Sequence, residues 1–322
     1  MVEGTIEPER AWEFAPAPAQ AAPGVLSMLG YRTPALPEAV HLGLPSATVT
    51  FIVGLDEGVR AAPDAASLAT ARPAPVILGG LHLAASHVHQ RPGQAGVQLA
   101  LHPLAVRSLF GIPCAELGVD DYDGLALVGP RGRELHERLA DTAAPWPEAF
   151  ALIGAHLRER HRDPRLRPEL VRAWHLLAAS RGRARVEQVA HRVGLSPRHL
   201  GTLFRREVGR APKTVACLMR FDHARARIAA AVRRSGRADL AGVAAAAGYT
   251  DQAHLSREFR RFAGVPPAAW AAREFRNVQD TPPVGGGAWG HEHTEHSDPE
   301  QHEPEQHRRR RPAAPVGDPA SA

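Results

Sequence analysis

The sequence predicts an α+β chain of two domains, a β-rich amino-terminal domain followed by an all-α one. Three observations carry that expectation. The 322 residues are about twice the usual ~150 per domain. Apolar runs of strand length fill residues 40 to 129, and helical period takes over beyond 130. Within the helical part, one pattern of residues occurs twice at a fixed offset of 55.

Composition narrows the class. Hydrophobic residues make up 44% and aromatic ones only 5%, which favours alanine-rich helices over an aromatic-cored all-β fold. No window reaches the ~18 uncharged apolar residues of a membrane span, and the start, Met1 to Gly4, has no basic or apolar signal. A soluble cytoplasmic protein is expected. Cys114 and Cys217 lie far apart without metal-type spacing, which argues against a disulfide framework or a zinc knuckle.

The net charge of +5 hides an asymmetry. Residues 165–276 carry 23 Lys+Arg against 8 Asp+Glu, whereas 1–164 carry 12 against 18 and 277–322 carry 4 against 8. An arginine-rich composition would raise all three segments alike. A single basic segment points to a polyanionic partner.

Along the chain, the first ~35 residues alternate Pro and Ala and read as an irregular leader. Ala47 to Gly54, Pro75 to Leu83 and Gly96 to Leu101 read as strands bounded by Gly and Pro. His102-Pro103 opens a short helix that ends near Phe110-Gly111. Arg131 to Ala140 and Glu148 to Arg160 are helical in period, the second with Ala149, Leu152, Ile153 and Leu157 on one face. The resulting division is 1–145 for the β-rich domain with its leader, 146–164 for a connecting helix, 165–276 for the basic all-α domain and 277–322 for a tail. That tail loses its apolar period and is expected to be disordered.

The repeat has legible physics. His199, Leu200, Phe204, Arg205, Gly209 and Pro212 match His254, Leu255, Phe259, Arg260, Gly264 and Pro267. Val186, Val189, Ala190 and Val193 stripe a short helix that ends at Gly194, a residue suited to the left-handed turn. Ser196 caps the next helix, Pro197 opens it, and Leu200, Leu203 and Phe204 face inward. In the second copy Gly248 ends the short helix and Asp251 caps the next, with Leu255, Phe259 and Phe262 inward. Each unit is a helix-turn-helix, homeodomain-like in layout, whose second helix suits the DNA major groove. Thr214 to Arg234 reads as a helix between the units. Its ~20 residues span ~30 Å, close to the ~34 Å separating successive major grooves on one face of B-DNA.

On these residues the chain resembles the AraC/XylS family of regulators. Val186 to Phe204 (VEQVAHRVGLSPRHLGTLF) with Gly209 to Pro212 is similar to that family's first helix-turn-helix. Arg220 to Arg227 (RFDHARAR) is similar to its linking helix, and Val243 to Phe259 with Gly264 to Pro267 resembles its signature region. The match covers roughly residues 167 to 275. The resemblance implies an all-α tandem helix-turn-helix DNA-binding domain and a sequence-specific transcription regulator, an activator by that analogy. It implies base-facing roles for Arg198, Gly201, Thr202 and Arg205 in one recognition helix, and for Gln252, Ala253, Ser256 and Arg257 in the other, with Arg260 also outward. Gly201 departs from the polar residue often found there, so the first unit is expected to read fewer bases. Each arginine has a plainer reading as a phosphate contact or a solvated residue.

Residues 40 to 150 more weakly resemble an uncharacterised β-rich domain that precedes such modules, which implies a sensor or regulatory role. Expected partners are double-stranded DNA and RNA polymerase, with a small-molecule effector at the amino-terminal domain and a second copy of the chain as further candidates. No membrane and no cofactor are expected. The competing reading is a non-specific architectural DNA-binding protein.

His82, His87, His89 and His102 cluster in the β-rich domain, and His87 with His89 fall on one side of a strand. Without a third ligand at telling spacing, ordinary surface or core histidines outweigh a metal site. The same holds for His291, His293, His296, His302 and His307 in the tail. No Gly-rich phosphate loop, nucleophile elbow or zinc-protease helix is present. An alkyl-transferring DNA-repair protein with such a module would need clustered cysteines, which two isolated ones do not supply.

Overall fold

The computed structural model describes residues 13–18, 21–33, 38–119, 123–142, 145–163 and 165–274. The amino-terminal half is built on two antiparallel sheets. The larger takes β1 (Glu13–Pro16), β2 (Val25–Arg32), β8 (Ala95–Leu101), β4 (Val49–Gly54) and β6 (Val76–Gly79) in that order. The smaller takes β3 (Ala39–Gly43), β7 (Ser86–Gln90) and β5 (Arg60–Ala62). A short helix, α1 (Ala65–Thr70), follows β5 and is capped by Asp64.

Alternation along the strands sorts the larger sheet into two faces. Val49, Phe51 and Val53 of β4, with Val97, Leu99 and Leu101 of β8, are all buried in one apolar core. The residues between them, Thr50, Ile52 and Gln98, face the smaller sheet across a cavity. Against the apolar face pack α2 (Val106–Phe110), α3 (Leu125–Thr142) and α4 (Trp146–Arg160). Phe110 meets Phe51 with ring centroids 5.8 Å apart. Arg160 fastens the end of α4 by donating to the carbonyls of Leu109, Val128 and Leu127 at 2.9, 2.9 and 3.0 Å.

Two expectations meet a different arrangement. The leader read as irregular contains β1 and β2. Pro16 is tolerated because β1 is an edge strand, and Val25–Arg32 carries Ser27 and Gly30, which dilute its strand signature. Its conformation is fixed by a distant partner, with Tyr31 opposite Gly96 and Leu29 opposite Gln98 of β8. The helix expected to connect the domains buries Ala149, Phe150, Ile153 and Leu157, in the core shared with the β-domain. The disordered tail expected at 277–322 lies outside the described residues.

The carboxyl-terminal half holds α5 (Pro168–Ala179), α6 (Val186–Arg192), α7 (Pro197–Val208), α8 (Pro212–Ser235), α9 (Leu240–Ala247), α10 (Gln252–Ala263) and α11 (Pro267–Glu274). Both short-to-long helix turns pass through a left-handed glycine, Gly194 at φ 72° and Gly248 at φ 81°. Side chains with a Cβ disfavour that conformation by about 1–2 kcal/mol, which accounts for glycine at both places. The linker α8 runs 24 residues, about 36 Å at 1.5 Å per residue.

The halves share one continuous core, and polar contacts pin the junction. Arg107 of α2 pairs with Glu207 of α7 at 2.8 Å, and Arg210 donates to the Leu81 carbonyl at 2.7 Å. The Ala47 N–H donates to the Asp222 carboxylate of α8 at 2.8 Å. Burial raises the Asp222 pKa to about 6, against the opposing pull of Arg225 and the Ala47 N–H.

In the unfolded chain the same carboxyl titrates near its ordinary 3.8, so between the two values the folded state holds the extra proton. Stability therefore falls as pH rises through about 4 to 6, by at most about 3 kcal/mol. Asp222→Asn removes that titration. Its unfolding midpoint relative to the parent should rise from pH 4 to pH 7 in thermal unfolding, and a difference that stays flat with pH would contradict the assignment.

Candidate nucleic-acid interface

Each recognition helix is started by a side-chain cap. The Ser196 hydroxyl accepts the His199 N–H at 3.2 Å, with Pro197 at the first helical position, and the Asp251 carboxylate accepts the His254 N–H at 2.7 Å. These bonds satisfy an otherwise unpaired N–H and fix where the first turn begins. The outward face of that turn is thereby set.

On α7, Leu200 and Phe204 are fully buried and Leu203 nearly so, whereas Arg198, Thr202 and Arg205 are exposed on the opposite side. The Thr202 hydroxyl donates to the Arg198 carbonyl at 3.1 Å, leaving its oxygen free to accept. Gly201 is buried, and a Cβ there would sit 3.4 Å from Nη1 of Arg205. That is an ordinary contact distance, so the space beside Gly201 does not itself require glycine.

On α10, Gln252, Ala253, Arg257 and Arg260 are exposed and Ser256 is half-buried, while Leu255, Phe259 and Phe262 are fully buried. Spacing of three and four residues puts Ala253, Ser256, Arg257 and Arg260 along one stripe. Two arginines near these stripes are differently engaged. Arg206 pairs with Glu207 at 3.1 Å, and Arg261 lies over the Phe262 ring at 5.5 Å.

The electrostatics around the linker are cationic. The His223 pKa is lowered to about 4, first by burial and then by Arg181, Arg227 and Arg183 around it.

A buried network absent from the sequence reading joins α8 to the second unit. Glu258 accepts from Arg220 at 3.2 Å and from the Tyr249 hydroxyl at 2.7 Å, and the Arg220 guanidinium sits 5.1 Å from the Tyr249 ring centroid. Burial is the largest influence on Arg220 and opposes its charge, but Glu258, Cys217 and Tyr249 together outweigh it and the guanidinium pKa is raised. The available signal was Glu258 itself, a charged residue three positions beyond Leu255 on the apolar side of α10. Glu258→Ala leaves a half-buried arginine and a buried tyrosine without their acceptor. We expect a loss of about 3–5 kcal/mol in denaturant unfolding of the full chain, and a loss below about 1 kcal/mol would show the network to be incidental.

The family model described as a helix-turn-helix domain matches residues 189–273. No curated protein sequence matches the chain. Among solved structures, ToxT from Vibrio cholerae O395 is 11% identical, covering 76% of this chain and 96% of that one at a TM-score of 0.41. ToxT from Vibrio cholerae strain SCE256 with an unsaturated fatty acid bound is 11% identical, covering 76% of this chain and 94% of that one at a TM-score of 0.41. Residues 189–273 thus carry a helix-turn-helix domain, behind an antiparallel β-rich amino-terminal half.

Proposed function

We propose that the chain is a sequence-specific transcription regulator, an activator by its family resemblance, that reads two adjacent major grooves of an asymmetric site. The observation that carries this reading is the pairing of two capped helices, each with exposed polar side chains in its first turns, on one 24-residue connector. Its length of about 36 Å compares with the ~34 Å between successive grooves. Arg198, Arg205 and Arg257 suit bidentate contacts to guanine and Gln252 to adenine, each worth about 1–3 kcal/mol of discrimination. Thr202, Ser256 and Arg260 complete the two reading faces, with the exposed Ala253 admitting close approach and the buried Gly201 adding no side-chain contact, so that the first unit reads fewer bases. On this reading residues 165–276 bind DNA and 1–145 hold an effector. The β-domain or the bound regulator meets RNA polymerase, and a second copy of the chain is a further partner.

Selection of the full chain on a random duplex pool, followed by competition at ~0.15 M salt, tests the proposal. The selected site should win by ~10³-fold or more over random duplex. Equal affinity would leave the architectural reading standing instead. Arg257→Ala should relax preference at one or two base positions, whereas Arg261→Ala, whose guanidinium rests on Phe262, should change affinity uniformly or not at all. An unaltered base profile in Arg257→Ala would show that the second reading helix is wrongly assigned.

A further inference from the structure

We propose that the space between the two sheets of the amino-terminal domain binds a small uncharged molecule that both donates and accepts hydrogen bonds, gripped by His41 and His82. The inference rests on the reading of this domain as the effector-holding one and adds where the molecule sits and what chemistry it has.

The geometry comes from strand alternation. His41 and Gly43 of β3, and Ser86, Val88 and Gln90 of β7, point into the cavity from the smaller sheet, opposite Thr50, Ile52 and Gln98 of the larger one. His87 and His89 belong to the other face of β7, where His89 meets Glu38 at 3.1 Å. The cavity holds about 60 Å³, room for about four to six water molecules at ~10–15 Å³ each. That suits a compact organic molecule of a similar number of non-hydrogen atoms.

Its lining fixes the class of occupant. No Asp, Glu, Lys or Arg side chain lines it. The neighbouring guanidiniums are committed elsewhere, Arg91 to Asp56 and Glu57 and Arg210 to the Leu81 carbonyl. His41 is half-buried, and burial lowers its pKa to about 4; burial likewise lowers that of His82. Both rings are therefore neutral near pH 7, and a neutral imidazole offers one donor and one acceptor. Nδ1 of His41 and Nε2 of His82 are buried without a hydrogen-bond partner among the described residues. An orphaned polar atom costs about 1–3 kcal/mol, which an occupant that bonds it restores. A carboxylate or an ammonium would shed its hydration and meet no opposite charge, so ionised molecules are excluded.

Occupancy has a direct route to the DNA-binding half. His82 follows Leu81, whose carbonyl receives Arg210, two residues beyond the end of α7. Gly43 and Thr50, both lining the cavity, flank the Ala47 N–H that holds Asp222 of α8. A molecule that bonds His82 shifts the segment to which the first recognition unit is tied, and by linkage DNA shifts the affinity for that molecule equally.

The test uses the full chain with two neutral probes, cyclopentanol and 2-pyrrolidinone, and two ionised counterparts of similar shape, cyclopentanecarboxylate and pyrrolidinium. Binding is read by changes in the histidine ring signals in NMR and by thermal shift. At least one neutral probe should bind and neither ionised one should. His41→Phe and the near-isosteric Thr50→Val should each weaken binding tenfold or more, while His87→Phe should leave it unchanged. The bound probe should change affinity for the selected DNA site by about fivefold or more. Equal binding of the ionised probes, binding that survives both cavity variants, or no binding of either neutral probe, leaving a cavity for water only, would overturn the proposal. Loss of DNA site preference alongside intact probe binding would instead count against the DNA reading alone.

Discussion

Everything in the carboxyl-terminal half hangs on the buried side of α8. Val215, Leu218, Phe221, Ala224 and Ile228 are fully buried along it, and the two helix-turn-helix units take their places from that stripe. Phe221 is the pivot toward the second unit, with ring centroids 5.0 Å from Phe259 and 5.1 Å from Phe262, and Phe259 lies in turn 5.4 Å from Trp270. Truncating a large buried aromatic costs about 3–5 kcal/mol, so this packing sets the position of α10 more firmly than any exposed contact. The Arg220–Glu258–Tyr249 network adds direction to it, because a carboxylate held by two donors tolerates little rotation of α10 about α8.

The first unit is tied in a different way. Trp174 of α5 stacks on Phe204 of α7 at 6.2 Å and meets His102 of the β-domain at 5.0 Å, so the β-domain reaches the buried side of α7 through one ring. Arg107 and Arg210 act at the carboxyl end of α7, where Arg205 nonetheless stays exposed, and away from the exposed Arg198 and Thr202. The β-domain therefore grips the first unit without covering its reading face. Of the two units, the first is the one wired to the β-domain, which suits a regulated contact, while the second is held chiefly by the linker and suits constant anchoring.

Much of this was legible from local chemistry. Gly194, Ser196 and Pro197, and their counterparts Gly248 and Asp251, act within four residues of themselves, so their turns and caps are written in the sequence. Strands β4 and β8 were readable because Val49 to Gly54 and Ala95 to Leu101 are apolar on the core face and bounded by breakers. What escaped depends on distant partners. Strand β2 exists because β8 lies beside it, about 70 residues on. Glu258 is satisfied by Arg220, and the reading of the histidines stopped at His82, His87, His89 and His102 because the pairing of His41 with Val88 across β3 and β7 has no local sign. Alternation alone placed His87 and His89 together, and the register put them outside the cavity that His41 and His82 line.

The central claim is that α8 holds the two reading helices at one fixed separation. Once a site has been selected, inserting one, two, five or ten base pairs between its two halves measures that rigidity directly. A stiff connector requires affinity to fall more than tenfold for every insertion, including ten base pairs, which restore the helical face but not the distance. Affinity that survives a one- or two-base-pair insertion, or returns at ten, would mean that the units move independently and that the linker does not set the spacing.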